Sequence, residues 1–205
     1  MDNVSLYEYQ PSFILGFHGC DREVGMRILS SPEEHLVRSE KKYDWLGHGV
    51  YFWEGNVIRA LEWARARKVK DPFVLGAIID LRCCLDLFDR SAALQLEKAH
   101  EALVATSELS NTEMPVNVGT TPDKLGRALD CSVFEVLHQL RKDEGKQSYD
   151  SVRGAFLEGD TIYPGAGFKS HTHIQICVRE AKSACIKGYF KPIGLEKLIA
   201  ATKNS

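Results

Sequence analysis

Trp45-Leu46-Gly47-His48-Gly49-Val50-Tyr51-Phe52-Trp53-Glu54 runs a glycine-punctuated polar turn straight into a short aromatic and β-branched strand. Neither glycine carries a Cβ, so the backbone here is free to take positive φ or to approach another group closely. In the strand that follows, Tyr51 and Trp53 share one face while Val50 and Phe52 share the other. A glycine turn that opens onto aromatic rings suits a flat heterocycle. A tight turn before a core strand has the same pattern, so this stretch needs others to give it weight. Two do so: Gly16-Phe17-His18-Gly19-Cys20 upstream, and His173-Ile174-Gln175-Ile176-Cys177-Val178 downstream.

The chain has 205 residues, enough for one domain with a substantial core. Its formal net charge is -2, so no global basic field draws it to nucleic acid or anionic lipid. No apolar run approaches the roughly 18 residues of a membrane helix, and the polar N-terminus is not a signal peptide. Six cysteines, at 20, 83, 84, 131, 177 and 185, form no Cys-x-x-Cys pairs. They read as reduced small hydrophobes in a cytoplasmic protein, with no zinc site.

Going outward from the central turn, residues 1–12 form a lead-in, 13–18 a strand, and Asp21 caps a short helix that ends before Pro32. Residues 36–39 suit a brief strand and 40–44 a solvated loop. Asn56 caps a helix from Val57 to about Val69. Residues 73–81 are nearly all apolar, which suits a strand buried on both faces. Leu85 to about Ser107 reads as helix, 111–123 as a polar segment, and 131–142 as a second helix. Gly154, Gly159, Gly165 and Gly167 make 145–171 read as a long irregular loop. Strands at 173–179 and 185–190 and a short terminal helix complete one α+β domain, with a helical insertion at about 85–145.

Taken together, the His-Gly strand, the Gly-x-Gly-Val-Tyr-Phe stretch and the late strand resemble the ADP-ribosyltransferase superfamily. The likeness is to its diphtheria-toxin/poly(ADP-ribose) polymerase branch, whose pattern places His, Tyr and usually Glu on three separate strands. The chain is also similar to bacterial relatives with an Ala-x-x-Trp-Ala helix, here Ala60-Leu61-Glu62-Trp63-Ala64. The resemblance covers about 13–80 and 145–190. It implies a split antiparallel β-sheet core and NAD as substrate. His18 would hold a ribose and the Gly19 backbone the nicotinamide amide. Tyr51, at Gly49's end of the turn, would stack on the nicotinamide ring, with Trp63 as a second wall. Arg38 and Arg153 would flank the cleft, and residues 153–168 would meet the acceptor.

Gln175 stands where the family usually has glutamate. Cleaving the nicotinamide–ribose bond builds positive charge on the ribose, which a carboxylate stabilises and an amide does not. Glu158 and Glu54 are the carboxylates that could stand in. The resemblance therefore implies transfer of a single ADP-ribose to a protein or nucleic acid acceptor. A toxin or phage-defence role, with an antitoxin or regulatory partner, follows only by analogy. The alternatives are a binding module that recognises NAD or ADP-ribose without turnover, an RNA 2′-phosphotransferase-like enzyme, and a plain interaction protein. Simpler roles stay open residue by residue. His18 would cap a turn, Gln175 and Glu158 would serve the loops around them, and His171 with His173 would supply half a metal site at most.

Overall fold

The computed structural model describes residues 9–119, 126–180 and 184–202, and for 9–12 the backbone alone. Five helices surround a mostly antiparallel sheet. In chain order the elements are β1 (Tyr9–Asp21), α1 (Arg22–Ser30), β2 (Val50–Glu54), α2 (Val57–Ala66), β3 (Pro72–Asp86), α3 (Arg90–Ser110), β4 (Asn117–Val118), β5 (Gly126–Arg127), α4 (Ala128–Asp143), β6 (Ser151–Phe156), β7 (His173–Val178), β8 (Ile186–Phe190) and α5 (Leu195–Ala201).

The six-stranded sheet falls into two groups. β1 pairs with β3 along most of its length, and β8 lies on the other edge of β3. β2, β7 and β6 make the second antiparallel group. The groups meet at two short seams. β1 pairs with β2 only at Gly16↔Glu54 and Phe17↔Trp53, and β3 meets β6 in parallel from Cys84 to Asp86. The long β3 serves both groups because Arg82 takes a positive φ of 52°. That conformation is costly for a side-chain-bearing residue and interrupts the extended run.

The sheet packs against two apolar cores, and β2, β3 and β7 contribute side chains to both. Phe17, Phe52, Phe73, Leu75 and Ile79 anchor the first, under α1, α2 and α5. Leu46, Leu85, Phe134, Leu137 and Val152 anchor the second, under α3 and α4. The helices expected as an insertion therefore cover one half of the sheet and bury the glycine turn itself.

Several boundaries differ from the sequence reading. Residues 36–39 form no strand; only Ser39 bridges, to Gly49. α2 stops at Ala66. β1 begins at Tyr9, within the expected lead-in, and its register with β3 shifts between Gln10 and Phe13, where Pro11 has no N–H for the ladder. The lead-in reading of 1–8 lies outside the described residues, as does the 120–123 end of the polar segment. Leu85 and Asp86 belong to β3, so α3 starts at Arg90, capped by the Asp89 carboxylate on the Ser91 N–H. α4 starts at Ala128, earlier than expected, because Asn117 caps it from outside. Its side-chain oxygen accepts from the N–H groups of Leu129 and Asp130. The stretch read as one loop from 145 to 171 contains β6.

Candidate functional site

The two glycines of the central turn work differently. Gly47 has φ +80°, a left-handed turn conformation. At Gly49 the φ is ordinary, but a Cβ there would collide with the Cys177 sulfur and the Val178 carbonyl oxygen. Gly49 thus lets the start of β2 lie tightly on β7. The turn is locked by Tyr51, whose hydroxyl accepts from the Leu46 N–H at 2.8 Å and donates to the Gly47 carbonyl at 2.7 Å. Burial holds this phenol well above its ordinary pKa, so it stays a neutral donor. Every residue of β2 is buried or half-buried, which explains how Val50, Phe52 and Trp53 are core together.

Beyond Phe17, β1 leaves β2, and the gap becomes a cleft of about 480 Å3. His18 and Gly19 lie at its base, and the His18 Nδ1 hydrogen-bonds the Tyr51 carbonyl oxygen across the gap at 2.8 Å. A carbonyl only accepts, so Nδ1 carries the proton and Nε2 of the neutral ring keeps its lone pair. Burial lowers the pKa of this imidazole, more than the carbonyl bond raises it.

His18, Gly19, Arg38, Gly49, Tyr51, Trp63, Glu158 and Gln175 all line this one cleft. So do all three tryptophans of the chain, Trp45, Trp53 and Trp63. Trp53 is only 3 % exposed, and its indole N–H has no hydrogen-bond partner among the described residues. Trp63 packs on Trp53 with ring centroids 5.7 Å apart, under the Arg67 guanidinium.

The lining carries five cations (Arg38, Lys41, Arg59, Arg67 and Arg127) against two carboxylates, Asp44 and Glu158. Two of the cations, Lys41 and Arg67, face the Tyr43 side chain. Neither has a carboxylate partner among the described residues. Arg67 is the main reason that the Tyr43 phenol is shifted down. Lys41, Tyr43, Trp45, Arg59 and Arg67 were not singled out from sequence. Trp45 sits in the opening stretch and Arg59 and Arg67 in the α2 region, but nothing local aims them at the cleft.

The carboxylate candidates stand differently from the sequence reading. Glu158 lies in the cleft, but Arg59 pairs with it at 2.7 Å, and Arg59 also binds Glu62. Glu54 is held by Arg153, which also reaches Asp86, and neither Glu54 nor Arg153 lines the cleft. Arg38 does, although Glu180 and Glu40 partly neutralise it.

Gln175 is held at both ends. Its Oε1 accepts from the Trp45 indole N–H at 2.6 Å, and its Nε2 lies 3.0 Å from the His173 Nε2. The His173 Nδ1 is spent on the His171 carbonyl at 2.6 Å. Only one arrangement satisfies this chain: His173 is neutral and its Nε2 accepts from the Gln175 amide. Burial, the largest influence, lowers the His173 pKa and favours that state. Among the described residues no cluster of three or more His, Cys, Asp or Glu stands ready to hold a metal.

Of residues 153–168, expected to meet the acceptor, 153–156 belong to β6, and the chain that follows folds back as a small flap. Thr161 bridges Lys169, and His171 N–H bonds the Glu158 carbonyl at 3.0 Å. No helix among the described residues is long and apolar enough to cross a membrane. No protein-family model, no curated protein and no solved structure matches this chain.

Proposed function

We propose that the cleft binds NAD and that the protein is a mono-ADP-ribosyltransferase with an ADP-ribosyltransferase-like split-sheet core. One observation carries the reading. Residues nominated from separate stretches, His18, Gly19, Tyr51, Trp63 and Gln175 among them, line a single cleft where two strands part. The cleft has the size range of small-molecule sites. Its aromatic walls suit the rings of a dinucleotide and its cationic excess suits the diphosphate.

In the reaction the bond between the ribose C1′ and the nicotinamide nitrogen breaks, and its electron pair leaves with neutral nicotinamide. His18 Nε2, lone pair outward from the Tyr51 clip, accepts a hydrogen bond from a ribose hydroxyl. Tyr51 sets the turn against which the nicotinamide rests, and Trp63 with Trp53 supplies the facing rings. Gln175, oriented by Trp45 and His173, accepts or donates at the ribose without adding charge. Of the two carboxylates of the cleft, Asp44 accepts from the Ser39 hydroxyl and the Lys41 N–H, and Glu158 shares its charge with Arg59. The absence of a bare carboxylate beside the ribose favours single transfer over chain growth.

Two observations, a Gln175 amide held at both ends and a Glu158 already paired with Arg59, favour one second reading, an NAD- or ADP-ribose-binding module without turnover. The deciding experiment measures nicotinamide release from NAD by the wild-type protein and by His18→Ala. The transferase reading expects release that falls at least tenfold in the variant. Saturable NAD binding with no release gives the protein to the second reading. No NAD binding at all removes both.

A further inference from the structure

A second recess adjoins the cleft. It is a groove of about 630 Å3 between α3 and α4, and Trp45 and Arg127 line both spaces. These two residues form a common wall with Phe156. Trp45 lies 4.8 Å from its ring and the Arg127 guanidinium 5.0 Å from it on centroids. Because the Trp45 indole N–H is fixed to Gln175, the wall ends at the polar centre of the cleft. A molecule lying in the groove is therefore separated from the cleft beside Gln175 only by these side chains.

The groove has the opposite electrostatic character to the cleft. Its floor is apolar, from Leu96, Val133 and Phe134, and its carboxylates are Glu97, Glu101 and Asp130. Asp130 is taken by Arg127 and by the Asn117 amide. Glu97 and Glu101 have no cationic partner among the described residues. They stand four apart on α3, one above the other on the groove side, where like charges repel unless a cation joins them. The cleft thus suits phosphates and the groove suits an apolar body that carries positive charge.

We propose that this groove docks the acceptor and that the acceptor is a basic segment of a protein, which presents an arginine or lysine side chain past Trp45 and Arg127. The inference rests on the NAD reading of the cleft. In the transfer a bond forms between the acceptor nitrogen and C1′ as the C1′–nicotinamide bond breaks. The bonding pair leaves with nicotinamide, and the proton lost by the acceptor nitrogen passes to water. The groove's negative charge disfavours a nucleic acid strand, which would bring phosphates to Glu97 and Glu101.

The test uses a fluorescein-labelled octa-arginine peptide, followed by anisotropy, on the full chain. The Glu97→Lys/Glu101→Lys variant is expected to weaken peptide binding about tenfold or more, while nicotinamide release to water stays at the wild-type level. A control, Glu108→Lys/Glu113→Lys, makes the same change in net charge outside the groove and should leave binding near wild type. Equal affinity in wild type and the groove variant overturns the proposal. So does an equal loss in the control, or tighter binding of a short single-stranded RNA than of the peptide. Failure of the transferase reading shows separately, as no nicotinamide release by any of the three proteins, and failure of the NAD reading as no NAD binding by any of them.

Discussion

The His18 imidazole donates through Nδ1 to the Tyr51 carbonyl at 2.8 Å, at the place where β1 and β2 no longer pair. A side chain stands in for the missing ladder bond, so one residue both holds the split open to a fixed width and offers Nε2 to the cleft. Removing it has two separable effects. His18→Ala should cost about 0.5–1.5 kcal/mol of stability for the lost hydrogen bond, measured by chemical denaturation. NAD turnover should fall by more, because the ribose contact goes with it. A stability loss with unchanged turnover would make His18 a clip only.

Gln175 offers a direct test of the missing charge. Gln175→Glu keeps the acceptor for the Trp45 N–H and places a carboxylate in the cleft. Nicotinamide release should rise about tenfold or more, and Gln175→Leu should lower it. The gain in Gln175→Glu should be larger at lower pH. His173 Nε2 would then have to donate rather than accept, which needs the protonated imidazole.

The two glycines of the central turn should respond unequally. Gly47→Ala puts a Cβ on a left-handed residue, at a cost of roughly 1–2 kcal/mol. Gly49→Ala drives a Cβ into the β7 backbone, where no flexible side chain can yield alone. Overpacking of that kind costs about 1–3 kcal/mol, or roughly 2–12 °C in Tm for a chain of this size. Gly47→Asn should be no milder than Gly47→Ala: asparagine tolerates the conformation, but Gly47 is buried and a Cβ there already stands 2.9 Å from Glu135 Oε1 and 3.1 Å from the Phe134 Cβ. Thermal melts of the three variants check the order.

His138 predicts an acid limb to the stability curve. It is buried, neither ring nitrogen has a hydrogen-bond partner among the described residues, and its pKa is pushed from 6.5 to about 3 by burial first and then by Arg179, Arg141 and Arg38. Above pH 6.5 the ring is neutral in both folded and unfolded chains, so it contributes no pH dependence. As pH falls below 6.5 the unfolded chain takes up a proton that the folded one refuses. Stability then drops by up to about 1.4 kcal/mol per pH unit, or about 2 kcal/mol by pH 5. Denaturation at pH 7 and pH 5 should show this loss together with that from His18 and His173, whose pKa values burial also lowers, and His138→Leu should remove the His138 share.

The central strand, the His-Gly strand and the apolar β3 were legible in the sequence because hydrophobic pattern and glycine chemistry there agree with the fold. So were the caps at Asp21 and Asn56, whose partners lie within three residues. The features that escaped depend on distant partners. Asn117 caps α4 across a segment of other structure. Gly154 sits inside β6 because a Cβ would meet the Leu87 side chain at 2.8 Å, so it marks a close approach rather than a loop. The cleft residues with recognisable neighbours, His18, Tyr51, Trp63 and Gln175, were nameable in advance. That Glu158 is tied to Arg59, and Gln175 to Trp45, follows only from the pairing of remote strands and loops.

Because Trp45, Trp53 and Trp63 are all the tryptophans of the chain and all line the cleft, tryptophan fluorescence reports on that site and, through Trp45, on the groove beside it. NAD should quench it saturably, and ADP-ribose and nicotinamide should each compete. Arg67→Ala, which removes a cation and the cover over Trp63, should weaken the NAD response. No saturable change on NAD addition, in a protein whose melt shows it folded, would contradict the account.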